Sequence, residues 1–182
     1  MFPACGSLQT HIHPGDFVIL DQFLDRTRGR RDTFFDGPET HHIGAAEPYC
    51  SRLRLLAARF AREQGIPVHD QGTMVVIQGP RFSTRVESAW FTREGWDVVG
   101  MTQHPEAILA RELGICYTGI ALVTDYDTGV AQGRESVSIE EVFRVFHENV
   151  GKVQALIRGM VPHLGAERDC PCEEEARRAI LG

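Results

Sequence analysis

The sequence predicts an α/β domain, and three observations carry that prediction. Residues 97–127 read as a short buried strand (97–100), a polar turn, a helix (105–113) and a second buried strand (116–124). A crossover of this length is the usual way to join parallel strands, so these two are expected to be neighbours. A helix (51–65), a strand (72–77) and another helix (84–94) precede them with the same alternation. Finally, 182 residues with 42% hydrophobic content suffice for one domain with a sizeable core.

Taken in order, the chain opens on ACGSL (4–8), which reads as a buried, Gly-containing loop. A turn at His13-Pro14-Gly15-Asp16 leads into a strand at 17–20. Residues 21–50 are too rich in polar residues and Gly for a strand and lack helical periodicity, the profile of a long functional or interfacial loop. Ser51 is placed to cap the next helix, with Leu53, Leu56, Ala57 and Phe60 on one face and Gly65 ending it. The run 72–77 is a buried strand closed by Gln78-Gly79-Pro80, and Val86, Ala89, Trp90 and Phe91 read as the core face of the helix that follows. Pro105 and Glu106 suit a helix start, and Gly114 its end. Residues 128–133 form a loop. Ser138 and Glu141 resemble a capping box for a long amphipathic helix to about residue 162, with Val142, Phe143, Phe146, Val150, Val153, Leu156 and Ile157 as its buried stripe. A short helix over 173–181 closes the chain.

Composition narrows the function. Lys+Arg 19 against Asp+Glu 25 leaves a net charge of −6, which favours neither nucleic acid nor an anionic membrane as partner. No apolar run approaches the roughly 20 residues of a membrane-spanning helix, and the N-terminus lacks the flanks of a signal peptide. Five scattered cysteines fit reduced thiols in a cytoplasm. The Cys170-Pro171-Cys172 pair could close a tight disulfide, but idle thiols suit that compartment better. Arg26, Arg28, Arg30 and Arg31 could bind an anion or form a solvated cluster. His41-His42 with Glu47 lacks the spacing of a zinc site, and no metal is expected.

The chemistry concentrates at the end of the second crossover strand. Asp125 and Asp127, two residues apart on extended chain, point to one side. A carboxyl group in a partly desolvated pocket holds a proton near neutrality and can deliver it. Thr102, following the neighbouring strand, offers a hydroxyl to an anion. Read alone, the segment 125–129 is more often a strand-ending turn, and Phe82 after the Gly-Pro break more often caps core than stacks on a ligand.

The segments ACGSL (4–8), PGDFVILDQFLDRT (14–27), HIGAAEPYC (42–50), GTMVVIQGPRFSTRVES (72–88), GMTQHPEAILARELGICY (100–117) and VTDYD (123–127) together resemble the 5′-methylthioadenosine phosphorylase branch of the trimeric purine nucleoside phosphorylase family. The resemblance implies a mixed central sheet flanked by helices, a homotrimer, and phosphorolysis, in which inorganic phosphate attacks the anomeric carbon and releases the purine. It implies that Asp125 protonates N7 of the leaving base and that Asp127 reads the 6-amino group. Phe82 would stack near sugar and base, Ser83 would sit beside the base, and Cys5 and Gly6 would line the base pocket. Met101 would pack under the ribose; Thr102 and the Ala4 N–H would bind phosphate. Ile139, Val142 and Phe143 would accept a 5′-methylthio group, and His42 would reach a neighbouring subunit's 5′ pocket. Family members that prefer 6-oxopurines usually carry Asn at the Asp125 position, so TDYD argues for adenine. The implied partners are a purine nucleoside and phosphate, with no cofactor.

Two departures accompany the match. The family's usual first strand, Gly/Ser-rich phosphate loop and Arg-His pair find no counterpart here. The expectation is therefore a single domain, 1–182, lacking the N-terminal third and its strands. Pro3 also stands where a Thr is usual, and Pro has no N–H to offer. A methylthioinosine or general purine nucleoside phosphorylase, and a non-catalytic purine-binding fragment, are the competing readings.

Overall fold

The computed structural model describes residues 1–128, 130, 138–165 and 168–179, with the Glu141 side chain excepted. Seven strands form one mixed sheet: β1 (Ala4–Ser7), β2 (Phe17–Ile19), β3 (Gln22–Arg26), β4 (Val68–His69), β5 (Thr73–Ile77), β6 (Val98–Gly100) and β7 (Ile120–Tyr126). Their spatial order is β3-β5-β6-β1-β7-β2-β4. The β6–β1 and β7–β2 pairs are antiparallel and the others parallel. Among the described residues, five α-helices accompany the sheet: α1 (Ser51–Glu63), α2 (Arg85–Arg93), α3 (Glu106–Glu112), α4 (Ile139–Met160) and α5 (Cys172–Arg178). A 3-10 turn, Val161–His163, follows α4. Among the described residues no helix is long and apolar enough to cross a membrane.

Alternation along the strands divides the core. Val18, Leu20, Ala121 and Val123 point to one face, where they pack with Tyr49 and with Ala107 of α3. Phe17, Ile19, Ile120 and Leu122 point to the other, under Ala57, Phe60 and Ala61 of α1 and Leu156 and Met160 of α4. A further cluster, Leu8, Val75, Phe91 and Val99, gathers with Trp90 and Trp96 beneath α2.

Several expectations are corrected. The strands flanking α3 are not neighbours: β1 lies between them, antiparallel to β6 and parallel to β7, so the expected parallel pair does not exist. ACGS carries too little β-branched or aromatic bulk to signal a strand, yet it occupies an inner position with partners on both sides. The second crossover strand begins at Ile120, not 116. Part of the expected loop is β3, an edge strand whose polar residues suit its half-solvated position beside β5. Cys50, not Ser51, holds the N-cap position of α1, without a side-chain cap, and Pro105 precedes the first turn of α3. Along α4, Phe143 and Ile157 are exposed while Val145 and Asn149 are buried. Ser138 Oγ donates to Glu140 Oε2 at 2.6 Å. The 128–133 loop and the last residues of the expected C-terminal helix lie largely outside the described residues.

The correction at α2 bears on function. Thr84 and Glu87 close a reciprocal capping box that starts this helix at a defined point. Val86 is 80% exposed and Ala89 is exposed, whereas Ser88 and Phe91 are buried. The inward face thus carries a hydroxyl toward Asp127, which an apolar period cannot register.

Candidate active site

The site sits on the sheet face shared by α2 and α4, over β6, β1 and β7. A bulge places its carboxylates there. Cys5 pairs with Val123 and Gly6 with Asp125, leaving Thr124 as the extra residue on β7. In an unbulged strand Asp125 and Asp127 would share the face of Val123, which belongs to the α3 core. The inserted residue reverses the alternation and brings both acids onto the opposite face. Gly6 makes room for them: a Cβ there would lie 3.3 Å from Asp125 Oδ2 and 3.5 Å from Asp127 Cβ.

A cavity of about 190 Å³ is lined by Pro3, Ala4, Cys5, Gly6, Ile77, Phe82, Ser83, Val99, Gly100, Met101, Thr102, Thr124, Asp125, Asp127 and Val142. Ten residues singled out in the sequence are therefore brought together: Ala4, Cys5, Gly6, Phe82, Ser83, Met101, Thr102, Asp125, Asp127 and Val142. Ile139 and Phe143 stand outside its lining, 55% and 58% exposed, and His42 is remote, on an exposed surface with Arg111 and Glu175. Thr124 escaped the sequence reading. Its hydroxyl lies 2.7 Å from Asp125 Oδ1 and 3.2 Å from the Cys5 carbonyl. Only the register shift could have identified it.

Burial pushes the Asp125 carboxyl up to about 6, with the charge of Asp127 adding and the Thr124 hydroxyl opposing. Burial also raises Asp127, opposed by the Ser88 hydroxyl, the Thr128 N–H and the nearby Ser83 hydroxyl. Cys5 is raised well above an ordinary thiol by burial and by Asp125, and its Sγ donates to the Leu122 carbonyl at 3.4 Å. A thiol so held is a poor nucleophile. Three side-chain atoms of the lining are buried without a hydrogen-bond partner: Ser83 Oγ, Thr102 Oγ1 and Asp127 Oδ2. Unpaired buried polar atoms are costly, and their convergence in one pocket marks a place built for a polar ligand. A wider cleft of about 590 Å³, lined by Arg26, Arg28, Arg81 and Glu87 among others, contributes no such atom.

Thr102 sits on a turn held from outside. Arg30 donates to the carbonyls of Met101 (3.0 Å), His104 and Gln78 (3.1 Å). Gln103 adopts φ 91°, rare outside glycine, and its side chain is wholly buried against Gly119. Three of the four clustered arginines are engaged: Arg30 clamps this turn, Arg26 lies over the Trp90 ring and Arg31 pairs with Asp36, while Arg28 lines the wider cleft. His41 stacks on Phe35 and contacts Glu39 at 2.8 Å.

The phosphorylase superfamily model matches residues 1–162. The chain belongs to that superfamily. It is 48% identical over 171 residues to an S-methyl-5′-thioadenosine phosphorylase of Pyrococcus abyssi, covering 94% of this chain and 65% of the relative. To a purine nucleoside phosphorylase of Streptomyces coelicolor it is 49% identical over 179 residues, covering 93% and 64%. Among solved structures, the Schistosoma mansoni methylthioadenosine phosphorylase in complex with adenine superimposes with a TM-score of 0.91 at 36% identity, covering 99% of this chain and 71% of the other. The chain thus spans about two thirds of the length of these phosphorylases. Its mixed sheet with flanking helices is that of the superfamily.

Proposed function

We propose that this superfamily member catalyses phosphorolysis of S-methyl-5′-thioadenosine, yielding adenine and 5-methylthioribose 1-phosphate. The observation that carries the reading is a pair of raised carboxyl groups, half-buried Asp125 and buried Asp127, in a small cavity with unpartnered polar atoms. As the glycosidic bond breaks, negative charge gathers on the purine and positive charge on the ribose. Asp125, poised near 6, gives its proton to N7. The phosphate dianion stabilises the ribose and then bonds its anomeric carbon. Asp127 accepts from the 6-amino group through Oδ2, and Ser83 bonds the ring edge. Phe82 and Met101 cover base and ribose, while Cys5 and Gly6 floor the base site. Thr102 and the Ala4 backbone receive phosphate. Val142, with Ile139 and Phe143 at the rim, receives the methylthio group. No cofactor takes part.

An adenine preference over 6-oxopurines is supported by Asp rather than Asn at 125. Homotrimeric assembly in the cytoplasm completes the reading, with His42 directed to a neighbour's 5′ pocket. Large exposed apolar side chains, Leu55 at 73% and Val86 at 80%, support burial between subunits. The test is adenine release from methylthioadenosine by the 182-residue chain, with and without phosphate. Phosphate-dependent release is expected; purine release indifferent to phosphate, or none from any nucleoside, would overturn the assignment for this chain.

A further inference from the structure

Outside the nucleoside pocket, four of the five cysteines converge. The Sγ atoms of Cys50, Cys116, Cys170 and Cys172 all lie within 4.8 Å of one another, and those of Cys116 and Cys170 are 3.3 Å apart. The four come from three separated stretches: the start of α1, the segment after α3, and the residues at and before the start of α5. None lines the nucleoside cavity. The first two stretches are joined by the Cys50 N–H donating to the Tyr117 carbonyl at 2.8 Å. The third is brought in by Arg168, which donates to the Gly114 carbonyl at 3.0 Å, and by close backbone approach at Gly114, where a Cβ would lie 3.1 Å from Glu173 Cα.

We propose that these four cysteines form a tetrahedral zinc site that fastens the C-terminal helix to the domain. Four thiolates around one zinc, with bonds of about 2.3 Å, place their sulfurs about 3.8 Å apart, inside the 4.8 Å that encloses all four here. Soft thiolate donors in a closed set of four select zinc over hard cations. All five cysteines are free thiols, and the 3.3 Å pair is well outside a disulfide bond of about 2.05 Å. Cys50 and Cys172 are buried while Cys116 and Cys170 are partly open, so an ion has a route in. Binding would exchange up to four thiol protons for one divalent ion, with no change of oxidation state.

The site also answers a question of stability. α5 has seven residues and no apolar stripe; of its side chains only that of Cys172 is buried. A helix so short is not stable alone. It is also held by the Arg111–Glu175 pair at 2.7 Å, by the Ala179 carbonyl accepting from the His42 N–H at 3.1 Å, and by the close approach at Gly114. A metal would tie this helix to α1 and to the α3 loop at once.

The experiment is elemental analysis of the 182-residue chain purified with a thiol reductant and without chelator. One zinc per chain is expected. Titration with an organomercurial should release that zinc in step with modification of four thiols. Cobalt substitution should give the absorption of a tetrahedral thiolate site, absent from Cys172→Ser. Because the mercurial titration uses the native chain, the inference stays testable if that variant fails to fold. Fully reduced protein that takes up neither zinc nor cobalt, or a zinc-free chain with the four cysteines paired in two disulfides, would overturn the proposal.

Discussion

The two ends of the nucleoside cavity are built differently. At the base end both carboxyl groups have a hydroxyl behind them. Asp125 is held by Thr124, Asp127 by Ser88, and both acids are brought round by one bulge. At the phosphate end the lining, among the described residues, offers the Thr102 hydroxyl and backbone groups, and no Lys or Arg. Arg30 is committed to carbonyls beneath the turn. On the proposed reading, proton delivery to a leaving purine is therefore a property of β7 and α2. Neutralising an incoming dianion is not provided by charged side chains of this lining. Perturbing the two ends should have unlike consequences.

The largest effect is expected at Asp125. Asp125→Asn removes the proton donor, and adenine release from methylthioadenosine at pH 7 should fall about 10²–10⁴-fold, the usual range for a general acid. Discrimination against 6-oxopurine nucleosides should narrow. In the wild type, the protonated fraction of Asp125 declines as pH rises through about 6, so kcat/KM should decline with it. Phosphate ionisation affects both proteins alike. The wild-type to Asp125→Asn ratio, plotted against pH, isolates the residue, and a flat ratio would remove Asp125 from the chemistry.

The same residue should oppose folding. Its folded-state pKa is raised from 3.8 to about 6, so between those values the folded protein binds a proton that the unfolded chain has released. The penalty is absent below about pH 4, grows through the window and is complete above about 6. Urea unfolding at pH 8 should find Asp125→Asn more stable by about 2–3 kcal/mol, with the gain gone at pH 4. A constant difference across that range would place the effect elsewhere. Activity and stability thus pull against each other at the base end.

Legibility in the sequence follows the same division. Asp125, Asp127 and Thr102 stand at the ends of strong local patterns, buried runs stopped by polar residues, and such patterns survive folding, whereas Ser83 was marked by the family resemblance alone. The bulge at Thr124 left no trace, because an inserted residue looks like any other until the partner's register is known. The place of β1 was hidden for a related reason: ACGS is too small and too short to advertise pairing on both edges. Ser88 was hidden by a rule that works elsewhere, since apolar spacing on α2 cannot mark a buried hydroxyl that serves a carboxylate. The cysteine cluster was out of reach, because its members are up to 122 residues apart (172 − 50) and meet only through tertiary packing.

At the phosphate end a smaller and more selective loss is expected. Thr102→Ala removes one hydroxyl, worth about 1–1.5 kcal/mol or roughly tenfold in binding. KM for phosphate should rise by that factor while KM for the nucleoside scarcely moves. Initial rates across a matrix of both substrates separate the two constants. Equal increases in both would mean that Thr102 shapes the whole cavity and does not belong to the anion subsite.

The smallest expected effect distinguishes position from chemistry at the base end. Gly6→Ala introduces a methyl group 3.3 Å from Asp125 Oδ2, 3.4 Å from Val99 Cγ1 and 3.5 Å from Asp127 Cβ. The last two are ordinary contacts, so only the carboxylate must move, by a few tenths of an ångström. Backbone freedom is not at issue, because Gly6 is not among the positive-φ glycines. Stability should change by less than about 1 kcal/mol, since the loss of unfolded-chain freedom offsets a tight contact. The displaced carboxyl should cost severalfold in kcat with little change in KM for phosphate, because a proton donor works only within hydrogen-bond reach of its target. Steady-state kinetics beside urea unfolding reads both quantities. Unchanged kcat with unchanged stability would show that the carboxylate need not be held to within a few tenths of an ångström. The bulge and Gly6 would then matter for which face Asp125 occupies, and not for where on that face it sits.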